Sequence, residues 1–120
     1  MGRSVRFDID ATDEKGVEYD IEIQKTNVGA SPKRTRYHSS VKDSDLLKKE
    51  QPFNALPETY VIFITERDVL GEGEPIYFIE RIIVKSGRPF NDGEHITYVN
   101  GAHKDVATEL DERGASLQIV

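Results

Sequence analysis

Two alternating segments joined by a short glycine-containing turn constrain the fold of this chain more than any other feature. In Ser4-Val-Arg-Phe-Asp-Ile-Asp-Ala11, Val5, Phe7, Ile9 and Ala11 fall on one side and Ser4, Arg6, Asp8 and Asp10 on the other, the period-two signature of a strand. Glu18-Tyr-Asp-Ile-Glu-Ile-Gln24 alternates in the same way, with Tyr19, Ile21 and Ile23 apolar and Glu18, Asp20, Glu22 and Gln24 polar. If Glu14-Lys15-Gly16 is a three-residue loop with Gly16 in the left-handed position, Asp13 pairs with Val17 and the register is fixed. Ala11 then faces Tyr19, Ile9 faces Ile21 and Phe7 faces Ile23. On the other face Asp8 lies across from Glu22, Asp10 from Asp20 and Arg6 from Gln24.

In that register the Cβ atoms of Asp8 and Glu22 lie about 5 Å apart, within reach of one hard divalent cation bound through oxygen. Directly opposed acids such as Asp10 and Asp20 repel, so something must offset them. A bound cation would do so, with Arg6 assisting. The other reading is a solvated hairpin face, the ordinary state of an antiparallel sheet.

The chain has 120 residues, 37% of them hydrophobic, and a net charge of −6. This is enough for one domain with a modest core. The absence of cysteine excludes disulfides and thiolate zinc sites and is compatible with a reducing cytoplasm. The N-terminal segment carries no apolar signal region and no run reaches the length of a membrane span, so a cytoplasmic protein with no membrane partner is expected. Charge is unevenly spread. Residues 25–49 hold seven basic side chains (Lys25, Lys33, Arg34, Arg36, Lys42, Lys48, Lys49) against Asp43 and Asp45, so this window is +5 and the remainder −11. A basic segment following an acidic hairpin suits phosphodiester chemistry, where cations hold the backbone and carboxylates hold a metal; a solvated helix face is the alternative.

Ser31 as N-cap and Pro32 at the first helical position predict a helix over 32–48. Tyr37, Val41, Ser44 and Leu46 or Leu47 are expected to face the sheet, with Arg34 and Lys42 pointing elsewhere. Pro52 and Pro57 bracket a loop whose Phe53 and Leu56 are expected to plug the core edge. Tyr60-Val-Ile-Phe-Ile64, continuously apolar, predicts a central strand covered on both faces. Strands are further expected over 76–84 and 95–99, with a short helix over 106–113 closed by Gly114. Tyr19, Phe63, Tyr77 and Phe78 are expected in the core. His38, His95 and His103 share no ligand spacing and read as surface or loop histidines. The order ββαβ followed by edge strands predicts an α/β fold with a mixed β-sheet and a flanking helix. No phosphate-binding glycine loop or nucleophile elbow occurs.

Asp8 followed on the next strand by Glu22-Ile23-Gln24 resembles the PD-(D/E)XK nuclease core, in which an Asp and a Glu-x-Lys or Glu-x-Gln occupy adjacent strands. The blocks Gly2–Ala11, Tyr19–Gln24, Pro32-Lys-Arg-Thr-Arg-Tyr37 and Leu56–Glu66 are similar, in that order, to the Rpn-type recombination-promoting nucleases and transposases. The likeness runs from about Gly2 to Gly101. It implies a single PD-(D/E)XK restriction-endonuclease-like domain over 1–120, with a core of about 3–101 and a divergent tail over 102–120. Family members begin with a helical region ahead of the first strand, whereas this chain starts at the strand, so a core lacking its first helix is expected. The activity implied is metal-dependent DNA endonuclease cleavage in recombination or transposition, with Mg²⁺ or Mn²⁺ as cofactor and DNA as partner. Asp8 and Glu22 would hold the metal, Gln24 would stand where the superfamily often has Lys, and Lys33, Arg34 and Arg36 would contact phosphates. Asp10 and Arg6 would lie around this shell. The alternative is an inactive relative that serves as a binding or assembly module, its uncovered apolar sheet face driving homo-oligomerisation.

Overall fold

The structure, a computed structural model, describes residues 9–26 and 28–104. Strands β1 (Ile9–Thr12) and β2 (Glu18–Gln24) form the hairpin, α1 (Pro32–Leu46) follows, and β3 (Thr59–Thr65), β4 (Ile76–Ile79) and β5 (Glu94–Asn100) complete a mixed sheet. The sheet order is β1-β2-β3-β5-β4. β2, β3 and β5 run parallel, while β1 and β4 pair antiparallel at the two edges.

The hairpin register is the expected one: Ile9 pairs with Ile21, Asp10 with Asp20 and Ala11 with Tyr19. Gly16 sits at φ 84°, a conformation that costs glycine nothing. Asp13 fastens the turn. Its backbone N–H donates to the Val17 carbonyl at 3.0 Å, and its carboxylate accepts from the Lys15 and Val17 N–H groups at 2.8 and 2.9 Å. The expected Asp8–Glu22, Phe7–Ile23 and Arg6–Gln24 pairings lie outside the described residues, as does the expected helix over 106–113.

The hairpin faces the opposite way from an ordinary half-solvated sheet. Its acidic side is the inner one: Glu18, Asp20 and Glu22 are buried, whereas Ile9 is 48% and Ile23 57% exposed. The inner face of the sheet therefore changes character along its width. It is acidic on β1 and β2 and apolar on β3, β5 and β4, where Val61, Phe63, Tyr98 and Tyr77 pack with Ala30 as the core.

Helix α1 matches this division. It begins at Ser31, whose Oγ accepts from the Arg34 N–H, with Pro32 in its first turn, as expected from a capping residue followed by a proline that lacks the donor a helix start leaves unused. Its buried residues are Thr35, His38, Ser39 and Lys42. The expected inward stripe of Tyr37, Val41, Ser44 and Leu46 or Leu47 is thus corrected: Tyr37 and Ser44 are exposed, and Lys42 points in. An acidic strand face cannot be covered by an apolar helix face without stranding its charges, so the polar stripe of the helix wins. Thr35 and Tyr98 join through their hydroxyls at 2.6 Å, and the Tyr98 hydroxyl also donates to the Ala30 carbonyl.

Three smaller expectations change. Phe53 is 82% exposed and does not plug the core edge. The strand expected over 76–84 ends at Ile79, and beyond it the chain makes an excursion closed by an isolated Ile82–Pro89 bridge. β5 is an inner strand, inserted between β3 and β4. On the outer face Tyr19, Tyr60 and His95 stack across β2, β3 and β5, with ring centroids 5.4 and 4.4 Å apart, while Phe78 is exposed. No helix among the described residues is long and apolar enough to cross a membrane.

Candidate metal centre

Asp20 and Glu22 stand two residues apart on β2, so both point to the same face. That face lies under α1. His38, on the buried side of α1, completes a group in which one ligand atom from each residue lies within 4.8 Å of the others. All three are essentially enclosed, at 0%, 1% and 2% exposure for Asp20, Glu22 and His38. The His38 ring also meets Phe63 edge-on, with centroids 5.7 Å apart, which fixes the imidazole at the border between the acidic and apolar halves of the sheet. Neither carboxyl oxygen of Asp20 has a hydrogen-bond partner. Burial first, then the adjacent Glu22 carboxyl, push the Asp20 acid up to about 9, with Lys42 pulling weakly the other way.

Lys42 lies on α1 four residues, one helical turn, beyond His38 and so on the same face. Its ammonium is 2.5 Å from Asp10 and 3.6 Å from Glu18. The repulsion expected between opposed Asp10 and Asp20 is thus offset at one end by a fixed cation from the helix. Asp10 itself is half exposed. Glu18 is further engaged by the Thr12 hydroxyl, which donates to it.

Gln24, at the end of β2, reaches the turn that leads into α1. A Cβ placed on Gly29 would stand 2.0 Å from its Oε1, so only glycine lets the Gln24 amide lie where it does. Lys33, Arg34 and Arg36 are exposed on the first turns of α1, the helix end nearest Gln24. Asp8 and Arg6 lie outside the described residues. The structure therefore brings Glu22 and Gln24 onto one strand face, and it adds Asp20, His38 and Lys42, which sequence reasoning did not assign. The reading of His38 as a surface or loop histidine is corrected: it is a buried helix residue against two acids. The signal was present as the polar stripe Thr35, His38, Ser39, Lys42 at helical spacing.

The sequence profile of the PD-(D/E)XK nuclease family transposases matches residues 1–111 of the chain. The chain belongs to that family. Comparison with curated proteins and with solved structures returned no match. The mixed five-stranded sheet with its helix is consistent with a PD-(D/E)XK-like core, and membership implies nuclease and transposition function with DNA as substrate. PD-(D/E)XK nucleases generally use divalent metals. The buried groups fit such an ion: two adjacent carboxyls, one of them with no hydrogen-bond partner, face an imidazole within 4.8 Å.

Proposed function

We propose that this PD-(D/E)XK family protein is a metal-dependent DNA endonuclease that hydrolyses phosphodiester bonds in recombination or transposition. The observation that carries the reading is the burial of Glu22 beside Asp20 on the inner sheet face. Acids do not stay enclosed and adjacent without a reason. Asp8 and Glu22 would hold Mg²⁺ or Mn²⁺, which when bound would supply Lewis-acid chemistry towards the phosphate and the attacking water. Gln24 carries no charge, so its amide positions the attacking water by hydrogen bonding. Lys42 keeps Asp10 and Glu18 neutralised beside the site, with Asp10 and Arg6 in supporting roles. Lys33, Arg34 and Arg36 bind the DNA backbone.

The parent is expected to nick or linearise plasmid DNA with Mg²⁺ or Mn²⁺, and Asp8→Ala is expected to be inactive while remaining folded. Equal cleavage by parent and Asp8→Ala, or none by a folded parent with either ion, would remove the enzyme reading. The exposed Ile9, Ile23 and Ile64 favour a second reading, in which the fold serves as an assembly module. A folded, inactive protein that self-associates through that face supports it.

Two further outcomes follow from these roles. Gly29→Ala should turn the Gln24 amide aside and slow cleavage by roughly tenfold to a hundredfold, with little change in melting temperature because the displaced group is a side-chain end. Unaltered cleavage would detach Gln24 from the reaction. Converting Lys33, Arg34 and Arg36 together to Ala should weaken binding to every DNA sequence and lower the salt slope of binding by about 0.9 per lost phosphate contact. An unchanged slope in a filter-binding or anisotropy titration would rule out the phosphate contacts.

A further inference from the structure

We infer that His38 and Asp20 complete the metal centre as ligands, and that the imidazole makes the site select a first-row transition ion over Mg²⁺. The inference rests on the proposed metal-dependent reading and names what that reading leaves open, the kind of ion and who else holds it. Three observations support it. One ligand atom each from Asp20, Glu22 and His38 already lies within 4.8 Å of the others. Ligand atoms around an ion with bonds of about 2.1 Å stand roughly 3 to 4.2 Å apart, so the three need close in by only a few tenths of an ångström. The Asp20 carboxyl is fully buried and neither of its oxygens has a hydrogen-bond partner, a state that an ion would relieve. The third observation is the origin of the residues: two come from a strand and one from the helix packed on it, so the site clamps α1 to β2.

The donor chemistry sets the choice of ion. Mg²⁺ takes oxygen ligands and gives up its waters reluctantly. Imidazole nitrogen suits transition ions, whose affinity at nitrogen-containing sites rises from Mn²⁺ towards Co²⁺ and beyond. A buried centre of two carboxyls and one imidazole therefore favours Co²⁺ and Mn²⁺. Lys42 does not compete for the position, because its ammonium is engaged by Asp10 and Glu18 at the other end of the acidic strip. The rival account is a structural one, with His38 packed on Phe63 and the two carboxyls sharing a proton.

The full chain, stripped of metal, is titrated with CoCl₂, MnCl₂ and MgCl₂ and followed by thermal melting, by visible absorption of the Co²⁺ form and by proton NMR. The parent is expected to be half-saturated by Co²⁺ at a concentration on the order of tenfold or more below that for Mg²⁺, with a paramagnetically shifted imidazole N–H resonance. His38→Gln is expected to lose that resonance and at least roughly tenfold in Co²⁺ affinity, while its Mg²⁺ affinity changes much less. Asp20→Asn is expected to weaken both ions. An unchanged Co²⁺ to Mg²⁺ ratio in His38→Gln overturns the inference. So does a Co²⁺-loaded parent without a shifted imidazole resonance, a result that holds even if His38→Gln fails to fold. Should the parent cleave DNA with Mg²⁺ but show either of these results, only the present inference falls. A parent that binds no ion at all removes the metal-dependent function with it.

Discussion

Replacing Glu22 with Gln is expected to abolish metal-dependent cleavage, by on the order of a thousandfold, and to raise the melting temperature of the metal-free protein by about 4 °C or more. Activity and stability move in opposite directions because the same two carboxyls serve the ion and, without it, stay enclosed together only by keeping a proton that the unfolded chain releases. The pH dependence has a definite sign. Burial and the Glu22 carboxyl raise the folded Asp20 acid from its ordinary 3.8 to about 9, so between these values the folded state holds a proton that the unfolded state has released. Stability of the metal-free parent therefore falls as pH rises across that window. His95 adds a slope of the same sign. Burial works against its charge, but the Glu58 and Glu80 carboxylates, 2.7 and 3.1 Å from its ring nitrogens, outweigh it and raise its proton affinity. It lies on the opposite sheet face, so its part survives in Glu22→Gln and the difference between the two proteins isolates the acid pair. Urea unfolding at pH 5, 7 and 8.5 without metal checks this. Equal slopes in parent and Glu22→Gln would show that the two acids do not interact.

Lys42→Met is expected to cost about 2–4 kcal/mol of folding stability, an effect larger than most single substitutions produce. The methionine keeps the bulk of the side chain. What it loses is the ammonium that Asp10 and Glu18 share, and removing one member of an enclosed ion pair leaves its partner uncompensated. Glu18 is nearly enclosed whereas Asp10 is 52% exposed, so the Glu18 carboxylate carries most of the loss and solvent screens the rest. A second substitution, Glu18→Gln, made on top of Lys42→Met is expected to recover most of the stability. Denaturant unfolding of the two single variants and the double gives the coupling directly. Independent, additive losses would mean that the ammonium and Glu18 do not depend on each other.

The backbone was readable from the sequence to a greater degree than the facing of its side chains. Strand alternation and Gly16 determine the β1–β2 register, Ser31-Pro32 the start of α1, and the run Tyr60–Ile64 the middle strand, because each is a local signal. Facing is not local. Alternation separates Asp20 and Glu22 from Ile21 and Ile23, but which set lies inside depends on what covers the hairpin, and an apolar stripe on α1 looked the more natural cover than Thr35, His38, Ser39 and Lys42. Once the acids are placed inside, the polar stripe becomes the necessary partner, and His38 and Lys42 change from bystanders to buried neighbours of those acids. Glu22 and Gln24 stood out in the sequence because their spacing resembles a known family pattern. Asp20 was visible only as a repelling neighbour of Asp10.

The insertion of β5 between β3 and β4 has a consequence for how the molecule is made. Asp20, Glu22 and His38 have all left the ribosome well before β5, whose residues 94–100 bond to both β3 and β4. Until that strand arrives, β4 has no partner in the sheet, and Phe63 lacks the Tyr98 ring that stacks on it at 5.5 Å. Closing the sheet thus waits on contacts distant in the chain, the kind that make folding slow. During that interval the hairpin and α1 are already made, and an ion captured then would hold helix to strand while the rest of the sheet is still being synthesised.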